Sequence, residues 1–89
     1  AGDWTADQRV AAFLVGMSRR LSARGFSAVR FQLTMARTDI ANYLRLAPET
    51  VSRVLRRMQD DGLLAVARRD VSLLDRDRIE ALAAPILRE

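Results

Sequence analysis

Four polar residues in the middle of the chain, Glu49, Ser52, Arg53 and Arg56, recur at spacings i, i+3, i+4 and i+7. On an α-helix these positions share one face. Their chemistry suits the base edges exposed in a DNA major groove. An arginine can donate a bidentate pair to guanine O6 and N7, a glutamate can accept from the cytosine amino group, and a serine is short enough to touch a neighbouring base. Two plainer readings compete. A solvated helix face is also polar. Glu49 also precedes Arg53 by four residues, the spacing of a surface ion pair worth about 0.2–0.5 kcal/mol.

Composition excludes most other chemistry. The chain has 89 residues, with 15 basic residues (every one an arginine) against 11 acidic ones, no cysteine and no histidine. That length suits one small domain, and 49% hydrophobic residues can supply a core. Disulfides, Cys- or His-based metal sites and His-based triads are impossible. Asp60 and Asp61 form an adjacent carboxylate pair, but neighbours on a helix point in different directions. Without lysine or a glycine-rich phosphate loop, the chain does not read as an enzyme. No apolar run approaches the ~20 residues of a membrane span, so no membrane partner and a cytoplasmic location are expected. The net charge of +4 is mild support for a polyanionic partner. It is unevenly spread: residues 37–69 carry seven arginines against four acidic residues, net +3, and residues 70–89 carry three against five, net −2. The acidic end should face away from DNA.

The elements that must position the four residues are legible from periodicity. Over residues 5–24, Val10, Phe13, Leu14, Met17 and Leu21 recur at helical spacing. Thr5 and Gln8 fit a capping box, and Gly25 is the stop. Phe13, Leu14 and Met17 should cover the core, with Trp4 left as an exposed contact. Residues 28–34 alternate, which predicts a single edge strand. Ile40, Ala41 and Leu44 mark a second helix. Pro48 opens a third, with Val51, Val54, Leu55 and Met58 inside and Gly62 ending it. Residues 63–67 and 71–74 are short apolar runs around Arg68-Arg69-Asp70, a β-hairpin without an Asn-Gly or Asp-Gly turn. Asp75 caps a last short helix containing Ile79 and Leu82, limited by Pro85.

Two helices joined by a short turn can place the second in a major groove. Ile40 and Ala41 sit where such a unit needs an apolar and then a small residue. Leu44 and Leu46 close the space under the turn, and Val51 and Val54 bury the back of the second helix. Arg45 falls at a turn position that often needs left-handed backbone, and Ala36 and Ala47 are poor caps, each a loss of about 1 kcal/mol. The expected fold is mainly α with a small β-hairpin, a winged helix-turn-helix. One domain fills residues 1–89, with the helix-turn-helix at 37–61 and the wing at 63–74.

Residues 31–66, with Leu33-Thr34-Met35, Asp39-Ile40-Ala41, Tyr43-Leu44 and Glu49-Thr50-Val51-Ser52-Arg53, resemble the Crp/Fnr family of bacterial transcription regulators, its Fnr branch above all. Ser18-Arg19-Arg20 and Arg24-Gly25-Phe26-Ser27 are also similar, so the likeness covers roughly residues 4–74. The resemblance implies that Glu49, Ser52 and Arg53 contact bases of a TTGAT-like half-site, with residues 48–61 as the recognition helix in the major groove. It implies a palindromic double-stranded operator, a homodimer for the full-length protein and RNA polymerase as a further partner. It also implies that the sensor domain, the long dimerisation helix and the iron–sulfur cysteines of oxygen-sensing members lie outside these 89 residues. The domain itself would need no cofactor and no metal, and alone would be mainly monomeric and weakly binding. Arg45, Ala36 and Ala47 stand where many relatives have glycine or capping residues.

Backbone contacts are expected from Arg37, Thr50, Arg56, Arg57, Arg68 and Arg69, which can reach phosphates beside the recognition face or from the wing. For each arginine the plain alternative is a solvated side chain. Tyr43 could donate to the DNA backbone or pack at a rim. A winged helix used only for protein–protein contact is the competing function. Arg53, Arg56 and Arg57 on one helix argue against it.

Overall fold

A computed structural model describes residues 3–88. Helices α1 (Ala6–Ala23), α2 (Arg37–Leu44), α3 (Pro48–Asp60) and α4 (Arg76–Leu87) surround strands β1 (Arg30–Gln32), β2 (Leu64–Ala67) and β3 (Asp70–Leu73). This is the element order expected from the sequence, and the fold is a winged helix-turn-helix. The capping box of α1 forms: Thr5 Oγ1 accepts from the Gln8 N–H at 3.1 Å and Gln8 Oε1 from the Thr5 N–H at 2.9 Å.

Three helices end on the same device, a left-handed residue followed by a closing bond. After α1 it is Gly25 at φ 86°, with the Phe26 N–H donating to the Leu21 carbonyl at 2.9 Å. After α3 it is Gly62 at φ 75°, with Leu63 donating to Met58 at 2.9 Å. After α2 it is Arg45 at φ 59°, with Leu46 donating to Ala41 at 2.8 Å. An arginine there does what glycine does at the other two ends, in a region unfavourable to any Cβ. Ala36 and Ala47 make no side-chain cap bond, as their type dictates.

The core is one cluster. It joins Val10, Ala11, Leu14 and Val15 of α1, Ile40 and Ala41 of α2, and the whole expected stripe of α3. Leu33, Leu63, Leu64, Val71, Leu73, Ile79 and Ala83 complete it. Burying each large aliphatic side chain contributes about 1.5–3 kcal/mol. The inner stripe of α1 is rotated from the expected one. Phe13 and Met17 pack only at the edge, while Ala11, Val15 and Ser18 are fully covered. The partner that α1 packs against most extensively is α4. Ser18 is tolerated because its Oγ donates to the Ala28 carbonyl at 2.6 Å.

The hairpin and the edge strand form as expected, and the expectation for Pro85 is corrected. The hairpin is part of a three-stranded antiparallel sheet in the order β1-β3-β2, with Phe31 opposite Val71. β1 is an edge strand as expected but spans only three residues. Ser27 Oγ accepts from the Val29 and Arg30 N–H groups and holds the strand's start in a turn. Pro85 does not stop α4, which runs on to Leu87. A proline mainly disturbs the carbonyl four residues earlier. That residue, Ala81, is exposed, where water can serve its carbonyl.

Candidate nucleic-acid interface

α3 is the most sharply two-faced element. Val51, Val54, Leu55 and Met58 are buried, and Ser52, Arg53, Arg56 and Arg57 are exposed. Pro48 takes the first helical turn, where its missing N–H matters least. Glu49 follows, also exposed and in the first turn, where the helix dipole favours a carboxylate. The four positions that opened the sequence reading therefore share an outward face.

The bonds of these side chains decide what remains available. Arg53 Nη2 makes a long contact of 3.5 Å to Thr50 Oγ1. Among the described residues no ion pair joins Arg53 to Glu49. The surface-pair reading of that spacing is not what the structure adopts. Thr50 itself is half-buried, with its hydroxyl turned toward Arg53.

Arg57 is arranged differently. Its guanidinium is ion-paired with Asp7 in the first turn of α1. Asp7 was missed as a partner, because nothing local signals a contact 50 residues away. Gln59 was also missed. Its Oε1 accepts from the Val66 N–H at 3.1 Å and occupies an outer donor of β2.

The wing carries Arg68 and Arg69 at its turn, both exposed. The hairpin closes over these two residues, with Ala67 opposite Asp70. Arg68 has left-handed backbone at φ 57°. Two-residue hairpin turns need positive φ, and here an arginine supplies it. This explains why no glycine signal marked the turn. Arg37 opens α2 and reaches the wing, its Nη2 donating to the Arg68 carbonyl at 3.0 Å. The structure thus brings Arg37 and the wing tip together. Tyr43 is exposed, with its ring tilted against Phe13 at 6.0 Å between centroids, a rim packing. Trp4 is half-buried rather than fully exposed. No described helix is long and apolar enough to cross a membrane. Among the described residues no group of acidic side chains gathers as metal ligands would.

Known proteins share this arrangement. The family model of the Crp-like helix-turn-helix domain matches residues 8–82. The chain is 53% identical over 79 residues to the transcriptional activator protein Anr of Pseudomonas aeruginosa, covering 89% of this chain and 32% of the relative. It is 47% identical over 78 residues to the fumarate and nitrate reduction regulatory protein of Escherichia coli, covering 88% and 31%. It therefore spans about a third of the length of the curated relatives it matches. The solved structure of FixK2 from Bradyrhizobium japonicum superposes with a TM-score of 0.80 at 41% identity, over 91% of this chain and 39% of that one. These relatives are bacterial regulators rather than enzymes. With most of its length matched and its helix-turn-helix and wing in place, this chain belongs to the family of Crp-like helix-turn-helix domains, the DNA-binding domains of bacterial transcription regulators.

Proposed function

We propose that this chain reads a TTGAT-like half-site in double-stranded DNA, with α3 in the major groove and Glu49, Ser52 and Arg53 on base edges. One observation carries this reading: the outward face of α3 holds Arg53 and Glu49 side by side without an ion pair between them, over a fully buried opposite face. Arg53 addresses the half-site guanine through its fork of donors, and Glu49 accepts from a cytosine amino group. Arg37, Thr50, Arg56, Arg68 and Arg69 take phosphates, which fix register without reading sequence. Arg57 joins them when it leaves Asp7. In the full-length regulator two copies meet a palindromic operator as a homodimer in the bacterial cytoplasm, with RNA polymerase as a further partner. The domain alone is mainly monomeric and binds weakly, because a second half-site contact multiplies affinity only when the two domains are linked.

Fluorescence anisotropy with this chain tests the proposal. The duplexes are a TTGAT palindrome, the same duplex with each half-site guanine replaced, and a shuffled control, each measured across a salt series. Tighter binding to the palindrome is expected, with a log–log salt slope of about 0.9 per phosphate neutralised. Equal affinity for all three duplexes would overturn base reading. A negligible salt slope would favour a protein-contact module.

A further inference from the structure

Three consecutive residues at the wing tip are each fastened to the chain that precedes α3. Gln32 Nε2 donates to Asp70 Oδ1 at 3.0 Å, the Leu33 N–H donates to the Arg69 carbonyl at 2.7 Å, and Arg37 Nη2 donates to the Arg68 carbonyl at 3.0 Å. The first two continue the pairing of β1 with β3. The third is different in kind, because it comes from the first helix of the helix-turn-helix unit. It also ends on the one wing residue with left-handed backbone, a conformation a non-glycine residue keeps only when its surroundings hold it.

We propose that Arg37 is a positioning residue for the wing. By donating to the Arg68 carbonyl it holds the strained tip and fixes the wing arginines relative to the helix-turn-helix. The guanidinium fork has N–H groups to spare, so this bond does not exclude a phosphate contact. α2 and the wing tip then act as one phosphate-binding unit rather than two independent contacts. The tether itself stands on the geometry. Its consequence for phosphate binding rests on the DNA-reading proposal above.

Amide hydrogen exchange on the DNA-free chain tests the tether. Arg37→Ala should speed exchange of the Leu33 and Asp70 amides about three- to tenfold, the loss expected for one hydrogen bond. The Val54 amide, inside α3, should keep its protection and so report an intact fold. Unchanged exchange at Leu33 and Asp70 would overturn the tether. Salt-dependent binding to a shuffled duplex tests positioning. Arg69→Ala should flatten the log–log slope by about 0.9 in the otherwise unaltered chain. It should change the slope by much less when Arg37 is already alanine. A full slope loss in both backgrounds would overturn positioning even with faster exchange. If Arg69→Ala leaves binding unchanged in the unaltered chain while exchange responds to Arg37→Ala, the tether stands and the phosphate role of the wing fails.

Discussion

The two halves of α3 sit on the same buried stripe and are held in opposite ways. The first half exposes Glu49, Ser52 and Arg53, whose only bond to another side chain among the described residues is the long one from Arg53 to Thr50 within the helix. The second half is fastened from three sides. Arg57 pairs with Asp7 of α1, Gln59 accepts from the Val66 N–H of β2, and the Asp61 carbonyl just beyond the helix accepts from Arg78 Nη1 of α4 at 3.4 Å. A surface that reads bases needs a fixed backbone and uncommitted side chains together. Anchoring one end of a helix and leaving the other end free supplies both.

The largest effect should come from breaking the support under the anchored half. Met58 is fully buried there, and Met58→Ala should cost about 2–5 kcal/mol, read as a lower urea midpoint. Arg53→Ala, on the free half, should change the stability read from the same midpoint by less than about 0.5 kcal/mol. A stability loss at Arg53 approaching that at Met58 would erase the contrast between the halves. The same Arg53→Ala variant should lose about 1–3 kcal/mol of binding to a guanine-bearing half-site and relax preference at that base pair. An equal loss on cognate and shuffled duplexes would move Arg53 from base reading to phosphate contact.

The turn that delivers the free half offers a smaller, stabilising test. Arg45 occupies the conformation that Gly25 and Gly62 occupy at the other helix ends. Arg45→Gly should therefore stabilise the chain by about 1 kcal/mol, seen as a raised melting temperature. No change would mean that other contacts of Arg45 offset its backbone cost.

What could be read in advance follows the same division. The free half was legible because its signals are local. Spacing alone puts Glu49, Ser52 and Arg53 on one face, and the α3 stripe, the Thr5 capping box and Gly62 all act within a few residues. The anchored half was not, since the partners of Arg57 and Gln59 lie on other elements. The Arg68 turn was weakly marked, because an arginine took a position that glycine or asparagine normally signals. The stripe of α1 was misjudged by one helix position: Ala11, Val15 and Ser18 are buried while Phe13 and Met17 pack at the edge, and Ser18 is held inside by a bond to the Ala28 carbonyl that helical spacing does not signal. Pro85 misled because a proline's cost depends on whether the carbonyl it displaces can reach water.

The smallest expected effect bears most directly on the anchored half. Asp7 and Arg57 are partly solvent-exposed, at 33% and 49% of their side-chain surface, so their pair should contribute only about 0–1 kcal/mol to stability. Asp7→Asn should therefore scarcely move the melting temperature. Its consequence lies in binding. With the carboxylate gone, Arg57 is free to take a phosphate, and the log–log salt slope should steepen by about 0.9. Removing a negative charge also attracts DNA nonspecifically, so the comparison must be repeated with Arg57 as alanine. In that background Asp7→Asn should leave the slope nearly unchanged. If the slope steepens equally in both backgrounds, Asp7 acts only as a general charge, and the second half of α3 is anchored without holding a DNA contact in reserve.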